Sequence, residues 1–216
     1  MDPTATNNKP KLRGVLHMIA FPVSLVTGLV LVVASKGDTA KISCAIYSVA
    51  ISALFGVSAL YHRGHWRSGP SRLLQRIDHA DIYLAIAGSY TPLCLLALHG
   101  VTSRVVLAVV WSGAAFGVIL SMFWPKAPRV VLVPTYLVVG WTAAVVIPEM
   151  VKGGGVALTV LVLVGGLFYT AGGVIYALKR PNPSPRVFGF HEVFHSCTIF
   201  GWITQYIAIS LIAYRF

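Results

Sequence analysis

Apolar runs of about 20 residues, the length a helix needs to cross a bilayer, recur along nearly the whole of this 216-residue chain. Seven are expected, at 15–34, 42–62, 77–98, 105–123, 130–147, 156–178 and 191–214. They argue against a soluble globule, because 56% of residues are hydrophobic and 11% charged, with a mean hydropathy of +0.78. In a bilayer core every backbone N–H and C=O must be satisfied inside the segment, so runs of this kind read as helices. The expected fold class is all-α, a polytopic membrane protein with seven transmembrane helices. A polar tail at 1–14 precedes a single membrane domain at 15–216. Turn-forming stretches such as SKGDT, RGHWRSGPS, HGVTS, WPKAP, PEMVKGGG and KRPNPSPR separate the runs. Pro22, Pro92 and Pro134 fall inside apolar runs, where they kink a helix while its neighbours satisfy the freed carbonyl.

The formal net charge of +11 would suggest nucleic acid on a soluble protein. Here its distribution explains it without one. With the N-terminus inside, the inner segments carry Lys9, Lys11, Arg13, Arg63, Arg67, Arg72, Arg76, Lys126, Arg129, Lys179, Arg180 and Arg186. The outer segments carry Lys36, Lys41, Arg104, Lys152 and Arg215. Twelve against five satisfies the positive-inside rule and predicts a cytosolic N-terminus and an external C-terminus. The plasma (inner) membrane and its lipids are the expected setting. Cys44, Cys94 and Cys197 stand far apart inside apolar runs, so neither a disulfide framework nor a thiolate metal site is expected. No small-residue cleavage site follows the first run, and no removable signal peptide is expected.

Within the stretch FGFHEVFHSCTIFGW, His191-Glu192-Val193-Phe194-His195 matches H-E-x-x-H. Two histidines four apart share one helical face about 6 Å apart, a spacing that suits a metal. Zinc normally takes at least three protein ligands. The chain beyond His195 holds no Asp, Glu or His, so a third ligand must come from upstream. That separates the pattern from the zincin proteases, whose third ligand usually follows it.

Seven spans put the end of the second, the start of the third and the start of the seventh on one membrane side. Ser58 and His62 lie there at i, i+4, with Asp78 and then His191 and His195. Polar groups near a membrane usually face the bundle interior and mark function. Asp78 has two plainer readings, pairing with Arg76 or favouring a helix start. Asp81, one turn deeper, competes for the same role. His62 alone could meet headgroups, and Ser58 alone could be a packing serine. His65 is expected to meet solvent or phosphate in its basic loop. His79 points about 100° from Asp78, and His99 and Glu149 belong to the opposite side. His17 begins the first span on the right side and is kept as a neighbour of the site.

At these residues the sequence resembles the hemolysin III family, part of the progestin and adipoQ receptor group. The resemblance rests on SALYH (58–62), RIDHADIYLAIAGSYTP (76–92), YTAGGVIYALKRPNP (169–183) and RVFGFHEVFH (186–195). The opening KPKLRGVLH (9–17) looks most like actinobacterial members. Two features depart from the family pattern. The acidic pair that begins many bacterial members is absent, and Gln205-Tyr206 stands where many carry a late histidine.

What the resemblance implies is a seven-helix fold with a zinc near the cytosolic face. By resemblance, His62, His191 and His195 would bind it, Asp78 would hold the attacking water, and Ser58 would join them. Glu192 is not fixed in relatives and is expected to be incidental. The implied activity is zinc-dependent hydrolysis of a lipid amide or ester, ceramide-like by analogy with the adiponectin receptors and alkaline ceramidases. The rival expectation is a membrane-homeostasis or sensing role with a structural zinc. Cytolysis, suggested by the family name, is a weaker third.

Overall fold

The computed structural model describes residues 9–124 and 127–215. Met1 to Asn8 of the expected tail, Pro125 and Lys126 of the WPKAP turn, and Phe216 lie outside the described residues.

Helices α1 (Val15–Ala34), α2 (Asp38–Arg63), α3 (Ser68–Leu96) and α4 (Gly100–Phe123) run in chain order. A broken rod follows, made of α5 (Arg129–Gly140), a 3-10 turn (Trp141–Val146) and α6 (Ile147–Gly154). Helices α7 (Val156–Leu178) and α8 (Phe190–Ala213) complete the bundle. The first and sixth apolar runs match α1 and α7 residue for residue. The expected 130–147 run is the broken rod, which extends to Gly154.

Six helical rods are long and apolar enough to cross a membrane, so the chain is a multi-pass membrane protein. The seventh, α3, is 29 residues long and starts nine residues before the expected 77–98 span. Its first turns carry Arg72, Arg76, Asp78 and Asp81, too many charges for a lipid-facing helix. Those groups enter a bundle whose outside is apolar: Phe123, Val145 and Val138 are 85%, 81% and 74% exposed. Such exposure would invite aggregation in water and suits lipid contact.

Neighbours in sequence pack as neighbours in space, α1 on α2, α2 on α3, α3 on α4 and α7 on α8. Helix α8 also touches α1, α2 and α3, so its first turn reaches the centre of one end of the bundle. Between helices in a membrane, association depends on close packing of small residues. Gly88 of α3 shows why: a Cβ there would stand 2.6 Å from the Ala50 Cβ of α2. Pro22, Pro92 and Pro134 lie inside α1, α3 and α5 as expected.

The Tyr90 side chain braces the break in the fifth rod. The Tyr90 hydroxyl donates to the Gly140 carbonyl at 2.5 Å and accepts from the Ala143 N–H at 2.7 Å. Backbone groups freed by the 3-10 turn are thereby satisfied inside the protein, the condition for irregular backbone at membrane depth.

Candidate metal centre

Helix α2 ends at Arg63, so Ser58 and His62 occupy its last two turns. Helix α8 begins at Phe190 and places His191 and His195 in its first two turns. Gly189 stands at the N-cap of α8, and its N–H donates to the Glu192 Oε2 at 2.8 Å, the half of a capping box that a glycine can make. Both helices bring their imidazoles to one point.

The ligand atoms of His62, His191 and His195 all lie within 4.8 Å of one another. The His62 and His191 Nε2 atoms are 3.2 Å apart. Two nitrogens held tetrahedrally by one zinc at about 2.05 Å stand roughly 3.3 Å apart, so the spacing of this pair fits. His195 is 2% exposed and His191 8%. Two neutral imidazoles sharing one proton can satisfy only one contact between them, whereas a cation satisfies all three lone pairs at once. The group could bind a metal.

Asp78 approaches from α3, its Oδ2 3.8 Å from the His62 Nε2. Ser58, fully enclosed, stands against the same carboxyl. The plainer alternative, a pairing of Asp78 with Arg76, does not occur among the described residues. Asp81 is buried elsewhere, lines no part of the cavity beside the histidines, and its Oδ2 has no hydrogen-bond partner among the described residues. Asp78, which the R-I-D-H resemblance favoured over Asp81, is thus the aspartate that lines the cavity.

His17 comes closer than a neighbouring position in the first span requires. Its ring lies flat on that of His195, centroids 3.7 Å apart and planes 4° from parallel. It is buried and neither ring nitrogen has a partner among the described residues. His79 lines the cavity without joining the histidine group. His65 lines a basic cleft outside it, and His99 caps α4 at the other end of α3. The three cysteines are free.

Glu192 corrects the expectation that it is incidental. It is fully buried, and its Oε1 accepts a hydrogen bond from the Arg13 Nε at 2.5 Å. Arg13 belongs to a strap over the site. The Lys11 N–H donates to the Arg186 carbonyl and the Leu12 N–H to that of Val187, at 3.0 and 3.1 Å. Gly14, at φ 77°, turns the strap into α1. Any Cβ there would meet the His62 Cβ at 2.7 Å, so the glycine is needed both for its conformation and for that approach.

A cavity of about 280 Å³ joins these groups. Its polar end holds Ser58, His62, Asp78, His191 and His195, and its apolar depth is lined by Leu93, Leu137, Val162 and Leu163. Gln205, at the position of the late histidine in the family pattern, lines the deep end and donates to the Val162 carbonyl at 3.3 Å.

Residues 5–206 match the family model described as "Haemolysin-III related". The chain belongs to the hemolysin III family. It is 31% identical over 172 residues to "Hemolysin-3" of Bacillus cereus, covering 77% of both chains. To the "Hemolysin-3 homolog" of Bacillus subtilis (strain 168) it is 30% identical, covering 78% of this chain and 76% of that one. The human "Monocyte to macrophage differentiation factor" is 28% identical over 81% of this chain and 72% of its own length. The matched segments of this hemolysin III protein thus take in much of the bundle.

Proposed function

We propose that this hemolysin III protein is a zinc-dependent hydrolase of a lipid amide or ester. The observation that carries the reading is a three-histidine group with a carboxylate 3.8 Å from one ligand, opening into an apolar cavity. Zinc at such a site would supply Lewis acidity and bring the pKa of a bound water toward neutrality. His62, His191 and His195 would hold it and leave a position open. Asp78 accepts the proton of the attacking water. Ser58 donates a hydrogen bond to the oxygen that gains charge. Burial of His195 shields that ligand from bulk water.

The same reading places seven crossings in the plasma (inner) membrane, with the N-terminus cytosolic and the site near the cytosolic face. It is supported by the basic residues at that end. The actinobacterial affinity rests on the opening KPKLRGVLH alone.

A second reading keeps the zinc but not the reaction: zinc joins α2 to α8 as a structural clamp in a protein that senses or adjusts the membrane. It is favoured by the enclosure of the ligands. Cytolysis, which the names of the Bacillus relatives suggest, has no comparable support in a chain of apolar helices. The readings separate on Asp78→Ala, assayed for fatty-acid release from lipid amides and esters in mixed micelles. The hydrolase reading expects turnover to vanish with fold and zinc content intact. Unchanged turnover in this variant overturns it.

A further inference from the structure

The cavity's charge narrows what could enter it. Beside the histidines, Asp78 is the only carboxylate lining the cavity among the described residues, whereas Lys9, Arg13 and Arg129 line its mouth. A second, open cleft of about 600 Å³ continues outward from the same mouth. Lys9, Arg13, Tyr61 and His62 line both. The outer cleft adds Lys11, Arg63 and Arg67, and among the described residues no carboxylate lines it. Of these cations Arg13 alone has a carboxylate partner, Glu192, among the described residues.

Basic residues at this end are expected from the positive-inside rule, and most such side chains reach into water. Arg129 does otherwise. It is the first residue of α5, and its guanidinium lies 4.4 Å over the ring of Tyr176 and 5.4 Å from that of Phe190. Tyr176 in turn packs edge-on against the ligand His191, centroids 5.5 Å apart. The Arg129 Nη1 is buried without a hydrogen-bond partner among the described residues. A buried N–H of a guanidinium is costly to leave unpaired and is matched by a bidentate oxyanion. A neutral ceramide-like amide offers that N–H an acceptor but no charge, whereas a phosphate supplies both.

We infer that the cleft and Arg129 bind the phosphate of an anionic acyl lipid, whose chain lies in the apolar cavity and whose acyl carbonyl faces the three histidines. The substrate class is a phosphate-bearing acyl lipid, and this assignment rests on the hydrolase reading; the anion site does not. In the reaction, water oxygen forms a new bond to the acyl carbon and the bond from that carbon to the headgroup oxygen or nitrogen breaks. A fatty acid and a phosphate-bearing alcohol or amine leave, with one water consumed.

The test is binding to the purified full chain, zinc-loaded, in neutral detergent at low salt. Dioctanoyl phosphatidic acid, dioctanoylglycerol and inorganic phosphate serve as probes. The phosphatidate is expected to bind at least about tenfold more tightly than dioctanoylglycerol, which has the same tails and no phosphate. Arg129→Gln should remove that preference and Arg129→Lys keep part of it. A His191→Ala, His195→Ala double variant should retain it, which separates this site from the metal reaction. Equal binding of the two lipids by wild type overturns the inference, as does a preference that survives Arg129→Gln combined with Lys9→Gln. Inorganic phosphate binding as tightly as phosphatidate overturns the lipid assignment and points to a soluble phosphate source. Preference without turnover of any phosphate-bearing lipid keeps the anion site and removes the hydrolase.

Discussion

His17 lies flat against His195, ring centroids 3.7 Å apart, so a residue of the first helix forms one wall of the three-histidine group. On its other side His17 meets the Phe55 ring edge-on at 5.0 Å. The stack fixes the plane of His195 without a hydrogen bond. Residues that orient a metal ligand commonly change affinity by about 10–100-fold when lost. His17→Ala is expected to weaken zinc roughly tenfold in a chelator competition, and His17→Phe to preserve it. Equal loss in both variants would mean that His17 acts through its nitrogens.

The Arg13–Glu192 pair joins the strap to the first turn of α8. Removing one partner from a buried pair costs about 3–5 kcal/mol, and less where water can reach the other. The Arg13 side chain is 18% exposed. Glu192→Gln is therefore expected to cost on the order of 2 kcal/mol, read as a lower Tm in detergent, with faster proteolysis after Lys9 and Lys11. Zinc content should not change, because Glu192 is not in the ligand group. A zincin-like reading of His191-Glu192-Val193-Phe194-His195 makes the opposite forecast, loss of turnover at unchanged stability, since there the glutamate is the base.

Metal retention should depend on pH with a definite sign. An imidazole binds metal only when neutral, so protons compete with zinc for all three ligands. Free imidazole titrates near 6.5. After equilibrium dialysis, zinc per chain should be constant between about pH 8 and 7 and fall steeply below about pH 6. Retention at about pH 4 would exclude an all-histidine site.

The helices were legible because lipid imposes a single rule on the backbone. Val15–Ala34 and Val156–Leu178 could be read to the residue from their apolar run. The start of α3 could not, since Ser68 to Arg76 is largely polar, and the cleft and cavity that Ser71 and Gln75 line are not registered by hydropathy. Nor could the 3-10 turn at Trp141–Val146, because Tyr90, 50 positions before Gly140, holds it together.

The site followed from topology, which puts three helix ends on one side, together with the histidine spacing. That logic gathered Ser58, His62, Asp78, His191 and His195, with the ligand roles supplied by the family resemblance. It left Asp78 and Asp81 unresolved, because both sit on similar faces of α3. Arg13 and Glu192 escaped it altogether. They are 179 positions apart, and no local period links them, although a lone buried acid beside a ligand and a cation before the first span were the available signals.

The central claim is that the three histidines form one metal site, and its most direct test is zinc content. The detergent-purified wild type should hold about one zinc per chain, and a His191→Ala, His195→Ala double variant of equal helicity should hold none. Wild type without metal after zinc is supplied, or a double variant that keeps it, would contradict the account.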